Sequence, residues 1–224
     1  MAVAARKIVI GIVALAVAAG AAYAGYGVWQ KRKLQAQVSQ LVAVAGGRLE
    51  ATLGIDINAA SADLPPKLDK AIQEVESGLN ELRAANARPD RPLIEAADDY
   101  VAGVLAVLRR QAGSTRGRLK FNESHKVLSA HLAQVGQRGS NWMPEAIRLR
   151  RALDKDYFDY QIAATSLGNM LGGYPQSRKR IAALLPAASL PADAAVKEAH
   201  MRALGAAEAT KQQYEKAKQL IAPG

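Results

Sequence analysis

Cysteine is absent from this 224-residue chain, and only 5% of its residues are aromatic. Without thiols the protein forms no disulfide, no cysteine-based zinc site and no thiolate nucleophile. The β-branched and aromatic runs that are typical of strands are also scarce beyond residue 30. Half of the residues are hydrophobic all the same, and many of these are alanine and leucine, which favour helices. The composition therefore predicts a helical protein with room for about one domain besides any terminal segment.

Motifs that carry a recognised chemistry are also missing. The sequence has no glycine-rich phosphate loop, no Gly-x-Ser-x-Gly nucleophile motif and no His-Glu-x-x-His metal motif. His125 and His131 are six positions apart, so on one helix they lie about 120° apart and do not share an ion. The carboxylates of Glu95, Asp98 and Asp99 fit the acidic first turns of a helix. We therefore expect no enzyme activity, no cofactor and no metal ion.

The net charge is +10, from 30 basic and 20 acidic residues. Half of that excess comes from five basic residues that flank one apolar segment near the N-terminus. The excess in the rest of the chain is too small to favour a nucleic-acid partner. The flanking residues are Arg6, Lys7, Lys31, Arg32 and Lys33.

The apolar segment runs from Ile8 to Trp29 without a charged residue. A helix of this length is about 33 Å long, enough to cross a hydrocarbon core of about 30 Å. Tyr23 and Tyr26 lie near its downstream end, where aromatic rings favour the membrane interface. We expect a retained single-pass anchor in a bacterial inner membrane, preceded by a short tail, residues 1–7. The soluble domain then lies in the periplasm, because a short tail before a long domain usually stays inside.

The same segment also fits a secretory signal peptide. Arg6 and Lys7 would form its basic start, and Ala22-Tyr23-Ala24 matches the small-x-small cleavage pattern. An exported soluble bundle is therefore the alternative. The apolar run is longer than the core of a typical signal peptide, which favours the anchor.

Small residues recur every fourth position within the segment, at Ala16, Gly20 and Ala24. Such a row lets a second membrane helix approach closely. We interpret it as a packing surface for another membrane protein. A segment rich in alanine and glycine also produces such rows by chance, which is the alternative.

Beyond the anchor, apolar residues recur at helical spacing, and residues 66–86 show the clearest repeat of four and three. We predict an all-α protein: a membrane-proximal helix and loop over residues 30–64, then an antiparallel bundle of five or six helices over residues 65–224. The last helix is alanine-rich, with Leu204 on its inward face. The predicted helices of the bundle cover about 66–86, 92–112, 122–137, 142–171, 176–185 and 192–221.

Glycine and proline mark the predicted ends of these helices. Gly113 to Gly117 reads as a turn, and Gly172-Gly-Tyr-Pro175 reads as a stop. Between these two breaks, Tyr157, Phe158 and Tyr160 fall within four positions. At least one of these rings must face outward on a helix, where it could anchor a partner. A core with one exposed ring is the alternative.

Two groups of basic residues suggest a binding surface. The first contains no acid between its members and spans the predicted turn; the second lies near a predicted helix end. We expect these exposed cations to bind lipid head groups, an acidic protein or a glycan polymer. The alternative is a solvated helical face with cations near helix C-termini. The groups are Arg109, Arg110, Arg116, Arg118 and Lys120, and Arg178, Lys179 and Arg180.

Together these features predict a non-enzymatic structural or accessory subunit of a bacterial envelope complex. Its expected partners are the lipid bilayer and another membrane or envelope protein. The alternative is a periplasmic ligand-sensing or substrate-binding bundle. Sensors of this shape usually carry a second membrane segment, and no second run of about 18 apolar residues occurs in this sequence.

Overall fold

The chain is helical in a computed structural model that describes residues 2–84, 91–134, 139–186, 188 and 190–219, with side chains from Val28 onward. No strand occurs among these residues, so the prediction of an all-α helical bundle is confirmed. The helices are α1 (Ala2–Leu53), α2 (Leu64–Ala84), α3 (Arg91–Ala133), α4 (Trp142–Leu184) and α5 (Asp193–Gln219).

From Val28 onward, where the structure describes the side chains, no helix is both long and apolar enough to cross a membrane. The predicted anchor lies outside the described side chains except for its last two residues, Val28 and Trp29. The predicted packing row of Ala16, Gly20 and Ala24 lies outside them entirely. Both Val28 and Trp29 are exposed, and the Lys33 ammonium lies 5.3 Å from the centre of the Trp29 ring.

Helices α3 and α4, of 43 residues each, form an antiparallel hairpin, and each is about 65 Å long. At one end Arg180 of α4 bonds to Asp99 of α3, and at the other His131 stacks on Trp142. Helices α3 and α4 contact each other along their whole length. The other helices pack against this hairpin.

Helices α1 and α2 cover only one half of the hairpin. The end of α1 reaches Gln111, whose side-chain amide donates to the Thr52 carbonyl, and the start of α2 lies near Arg116. Beyond this level α3, α4 and α5 continue as three helices. We call this part, residues 118–134, 139–160 and 206–219, the distal arm. The opposite end, where α1 enters the bundle, is the proximal end.

The apolar core follows this division. One cluster fills the five-helix part, where Val38, Val42 and Leu49 of α1 are fully buried against the other helices. A smaller cluster fills the distal arm around Phe121, Leu128 and Leu153. Each fully buried leucine or phenylalanine stabilises the fold by about 1.5–3 kcal/mol, so both parts have a core of their own.

The predicted turn at Gly113–Gly117 is wrong, because α3 is continuous through it. A Cβ atom on Gly117 would lie 3.1 Å from the Cα atom of Tyr160, so this glycine lets α4 approach α3 closely. The glycine serves a contact between two helices and does not end either of them.

The predicted stop at Gly172–Pro175 is also wrong, because α4 runs through Pro175 to Leu184. A proline inside a helix costs about 3 kcal/mol. Leu171, Tyr174 and Ile181 are buried on both sides of it, and the Tyr174 and Tyr100 hydroxyl oxygens are 3.2 Å apart. Burial of these side chains outweighs the cost of the proline. With both breaks removed, four helices occupy the described part of 65–224, where the sequence predicted five or six.

The two glycines of the false turn allow a matched stability test. Gly117→Ala should lower the free energy of unfolding by about 1–3 kcal/mol, because the backbone of Tyr160 cannot move away easily. Gly113→Ala, which meets no atom within 4 Å, should raise it by up to about 1 kcal/mol through helix propensity. Urea unfolding of the full chain in detergent, followed by circular dichroism, measures both. Equal effects of the two variants would contradict the close packing of α3 on α4.

Candidate partner-binding surfaces

The basic group on α3 is partly neutralised by α2. The Arg109 guanidinium lies 2.6 Å from the Glu76 carboxylate, and the Arg116 guanidinium lies 2.5 Å from the Asp69 carboxylate. Both acids belong to α2, so the absence of acids within the group itself did not reveal them. Half-exposed pairs of this kind contribute at most about 1 kcal/mol to stability. Their main effect here is that two of the five cations already have a partner.

The second basic group, at the end of α4, is also tied to neighbouring helices. Arg180 lies 2.5 Å from Asp99 of α3, and Arg178 lies 3.4 Å from Asp193 of α5. Lys179, between them, is exposed. The two basic groups are separated by roughly 15 to 30 Å along the hairpin. The structure does not bring them together into one surface.

Arg110 and Lys120 are the two exposed members of the α3 group that are not paired with an acid of α2. Among the described residues, no carboxylate lies within ion-pair distance of either. They are ten residues apart, about 15 Å along the helix, and therefore form two isolated charges.

Arg118 differs from the other predicted surface cations, because its side chain is buried with only 3% exposed. Its guanidinium donates to the Thr210 hydroxyl at 2.5 Å and to the Gln213 side-chain oxygen at 2.9 Å. It also lies over the rings of Phe121 and Tyr160, at 5.4 and 6.0 Å from their centres. Arg118 therefore joins α3, α4 and α5 at the level where the two core clusters meet.

The buried charge of Arg118 is only partly compensated. Its Nε atom has no hydrogen-bond partner, and among the described residues no carboxylate pairs with it. Burial lowers the pKa of Arg118, and burial together with the nearby Arg118 charge lowers the pKa of His125. Because hydrogen bonds have directions, this polar layer favours one alignment of the three helices.

An apolar surface lies on the outside of α4 and α5, which are adjacent in this region. The Gln161 amide of α4 donates to the Ala207 carbonyl of α5 at 3.1 Å, and the Phe158 and Tyr214 ring centres are 6.3 Å apart. Four large apolar side chains on these helices are 45% to 69% exposed. We call this surface the α4–α5 apolar face; its residues are Phe158, Ile162, Met201 and Leu204.

The sequence predicted this face only in part. Of the three clustered rings, Tyr157 and Tyr160 are buried and Phe158 is the exposed one. Leu204 was expected on the inward face of the last helix and is instead exposed. The buried α5 positions next to Leu204, such as Ala203 and Ala206, are small. The spacing of apolar residues in the sequence could not by itself show which of them face the core.

A groove of about 550 Å³ lies between α1 and α2. Its apolar part includes Leu34, Leu41 and Val44, and its polar part includes Gln37 and Glu74. Leu41 packs over Gly78 here, since a Cβ atom on that glycine would overlap the leucine side chain. The groove is open along one side.

Metal binding has no support among the described side chains, which contain no group of three or more residues able to hold an ion. The acidic residues near the start of α3 bond to arginines instead. Asp98 accepts from Arg83, Asp99 from Arg180, and Glu95 from Arg91.

Comparison of the chain with protein-family models, with curated proteins and with solved structures finds no match. Of the surfaces of this chain, the α4–α5 apolar face has four large apolar side chains that are 45% to 69% exposed, and these side chains come from two helices.

Arg116 and Arg118 allow a test of which cations are structural. Arg118→Ala should lower the free energy of unfolding by about 2–4 kcal/mol, because it removes packing between the two core clusters and leaves a cavity. Arg116→Ala breaks only a half-exposed pair and should cost at most about 1 kcal/mol. Denaturant unfolding of both full-length variants measures the difference. An Arg118 variant as stable as the Arg116 variant would show that the buried layer does not hold the helices together.

Proposed function

We propose that the protein is a non-enzymatic, membrane-anchored helical bundle that acts as a structural or accessory subunit of a bacterial envelope complex. It binds another membrane or envelope protein through the α4–α5 apolar face. That face is the observation that carries the proposal. Large apolar side chains that are exposed close together on a soluble domain often belong to an interaction site.

The surroundings of the face support its use as a protein interface. Polar and charged residues border it, including a Lys155–Asp159 ion pair on α4 and Glu208 with Lys211 on α5. An apolar centre with a polar rim is the usual arrangement of protein interfaces. Phe158 has the character of a central anchor, since a rigid ring covers much area and loses little conformational freedom on binding.

Membrane attachment is proposed from the uncharged segment Ile8–Trp29 and from the course of α1. This helix includes the segment and then continues to Leu53, deep in the five-helix core. A membrane-embedded segment would therefore be joined to the bundle by a helix and not by a loop. The location that fits is the bacterial inner membrane, with the bundle on the periplasmic side.

Protein binding is favoured over binding of an anionic surface through the α3 basic group. Arg109 and Arg116 are neutralised by acids of α2, and Arg118 is buried. The remaining cations, Arg110 and Lys120, are too far apart to hold one small anion. They can still contribute to the rate at which an acidic partner approaches.

A ligand-binding bundle is the second candidate, and the α1–α2 groove favours it. Its volume of about 550 Å³ lies in the range of small-molecule sites. Binding sites of this kind usually enclose most of their ligand, whereas this groove is open along one side. The apolar face is therefore the stronger basis for a function.

Two pairs of exposed apolar residues on α4 provide the test. Phe158→Ser with Ile162→Ser should reduce recovery of the partner from detergent-solubilised membranes by about tenfold or more, because central apolar contacts carry most binding energy. Met143→Ser with Ile147→Ser, also exposed and also four residues apart on α4, should leave recovery unchanged. Thermal unfolding should be similar for both variants, since all four replaced side chains are at least 43% exposed. Equal recovery with both variants, or no stable partner at all, would contradict the proposal.

A further inference from the structure

The loop between α4 and α5 lies beside the point where α1 enters the bundle. Arg32 and Ala36 of α1 line one surface depression together with Leu185, Pro186 and Ala188 of this loop. The depression measures about 400 Å³. The loop and the start of the described part of α1 therefore share the proximal end of the bundle.

The chemistry of this end combines apolar and basic groups with carboxylates that are each paired with an arginine: Glu95, Asp98, Asp99 and Asp193. Residues 181–192 contain no charged residue. Leu184 and Pro186 are exposed, although exposed positions at a helix end are usually charged or polar. Lys179 is also exposed and lies little more than one helical turn before Leu184. On α1, Arg32 and Lys33 are also exposed.

We infer that the proximal end is a second, peripheral membrane contact that binds the head groups of anionic phospholipids. Leu184 and Pro186 enter the interfacial layer, and Arg32, Lys33 and Lys179 bind the phosphates around them. The inference rests on the proposed function, because the anchor brings this end to the bilayer.

The length of α1 sets the depth of the contact. From Trp29, the last residue of the uncharged segment, to Arg32 a helix rises about 4.5 Å. Each head-group layer is about 5 to 7 Å thick, the difference between the whole bilayer and its hydrocarbon core. Because Arg32 lies beside Pro186, the loop comes to the head-group layer whenever Trp29 lies at the edge of the hydrocarbon.

Charge complementarity selects an anionic bilayer as the occupant. Lysine and arginine near a membrane surface each gain about 1 kcal/mol from anionic lipids. Exposed leucine and proline side chains gain from the apolar part of the interface as well. Attachment at two points, α1 and the loop, would hold the hairpin of α3 and α4 upright, with the distal arm away from the membrane.

The absence of cysteine from the sequence allows single-site labelling of the full chain. We choose Leu184→Cys at the proximal end and Val127→Cys on the distal arm, since both native side chains are 41% exposed. Each variant is labelled with a small fluorophore and placed in vesicles of phosphatidylcholine and phosphatidylglycerol. Quenching is measured with a lipid that carries a nitroxide on its head group and, separately, with aqueous iodide.

The Leu184→Cys label should be quenched by the lipid nitroxide at least about twice as strongly as the Val127→Cys label, and less by iodide, because only the first lies in the interface. Combining Leu184→Cys with Arg32→Gln, Lys33→Gln and Lys179→Gln should weaken the lipid quenching. Equal quenching at the two sites overturns the inference. A Leu184→Cys label shielded from both quenchers also overturns it, since a protein would then cover the loop.

Flotation of the same vesicles separates this inference from the proposed function. If the protein floats with the vesicles but both labels are quenched equally, the membrane anchor is supported and the second contact is refuted. Protein that does not float overturns the membrane attachment itself, and the inference with it.

Discussion

The close contact between α3 and α4 at Gly117 is the constraint on which the rest of the structure depends. At that point a Cβ atom on residue 117 would lie only 3.1 Å from the Tyr160 Cα atom, closer than side chains usually pack. With no side chain between them, two helices of about 65 Å remain in contact over their whole length. Helix α5 packs along the hairpin, and α1 and α2 join it on only one half, which gives the proximal end and the distal arm.

Arg118 lies next to this contact and connects the two halves. An uncompensated buried cation is costly, and an apolar side chain of similar size is often no less stable. What hydrogen bonds add is direction: bonds to Thr210 and Gln213 fit one alignment of α5 along the hairpin. That alignment also fixes the position of Met201 and Leu204 of α5 relative to Phe158 and Ile162 of α4. The proposed partner-binding face thus depends on a buried polar layer nearby.

Much of the fold could be predicted from the sequence. The apolar repeat over residues 66–86 predicted α2 and its inward face, and its members Leu68, Val75 and Leu79 are buried. The errors concerned residues whose role depends on another helix. Gly117 resembled a turn because its contact, Tyr160, lies more than forty residues away in the sequence. Pro175 resembled a stop because the burial that offsets its cost involves α3 and α5.

The candidate site was harder to predict for the same reason. Arg109 and Arg116 look unpaired along α3, yet their acids lie on α2. Arg118 is indistinguishable from them in sequence, although its side chain is buried. Charge pairing and burial are properties of the packed helices, and a helical repeat shows only which positions share a face.

A distance measurement across the hairpin tests the continuity of α3 and α4 most directly. Spin labels at Lys126→Cys on α3 and Lys179→Cys on α4 occupy exposed positions near its two ends. Because Arg180 lies beside Asp99, about 26 residues of α3 separate the labels along the axis, which corresponds to about 40 Å. Pulsed electron resonance of the full chain in detergent should give one narrow distribution near that distance. A broad distribution, or a distance shorter by about 10 Å or more, would show that the helices bend at the glycine segments and would contradict the continuous hairpin.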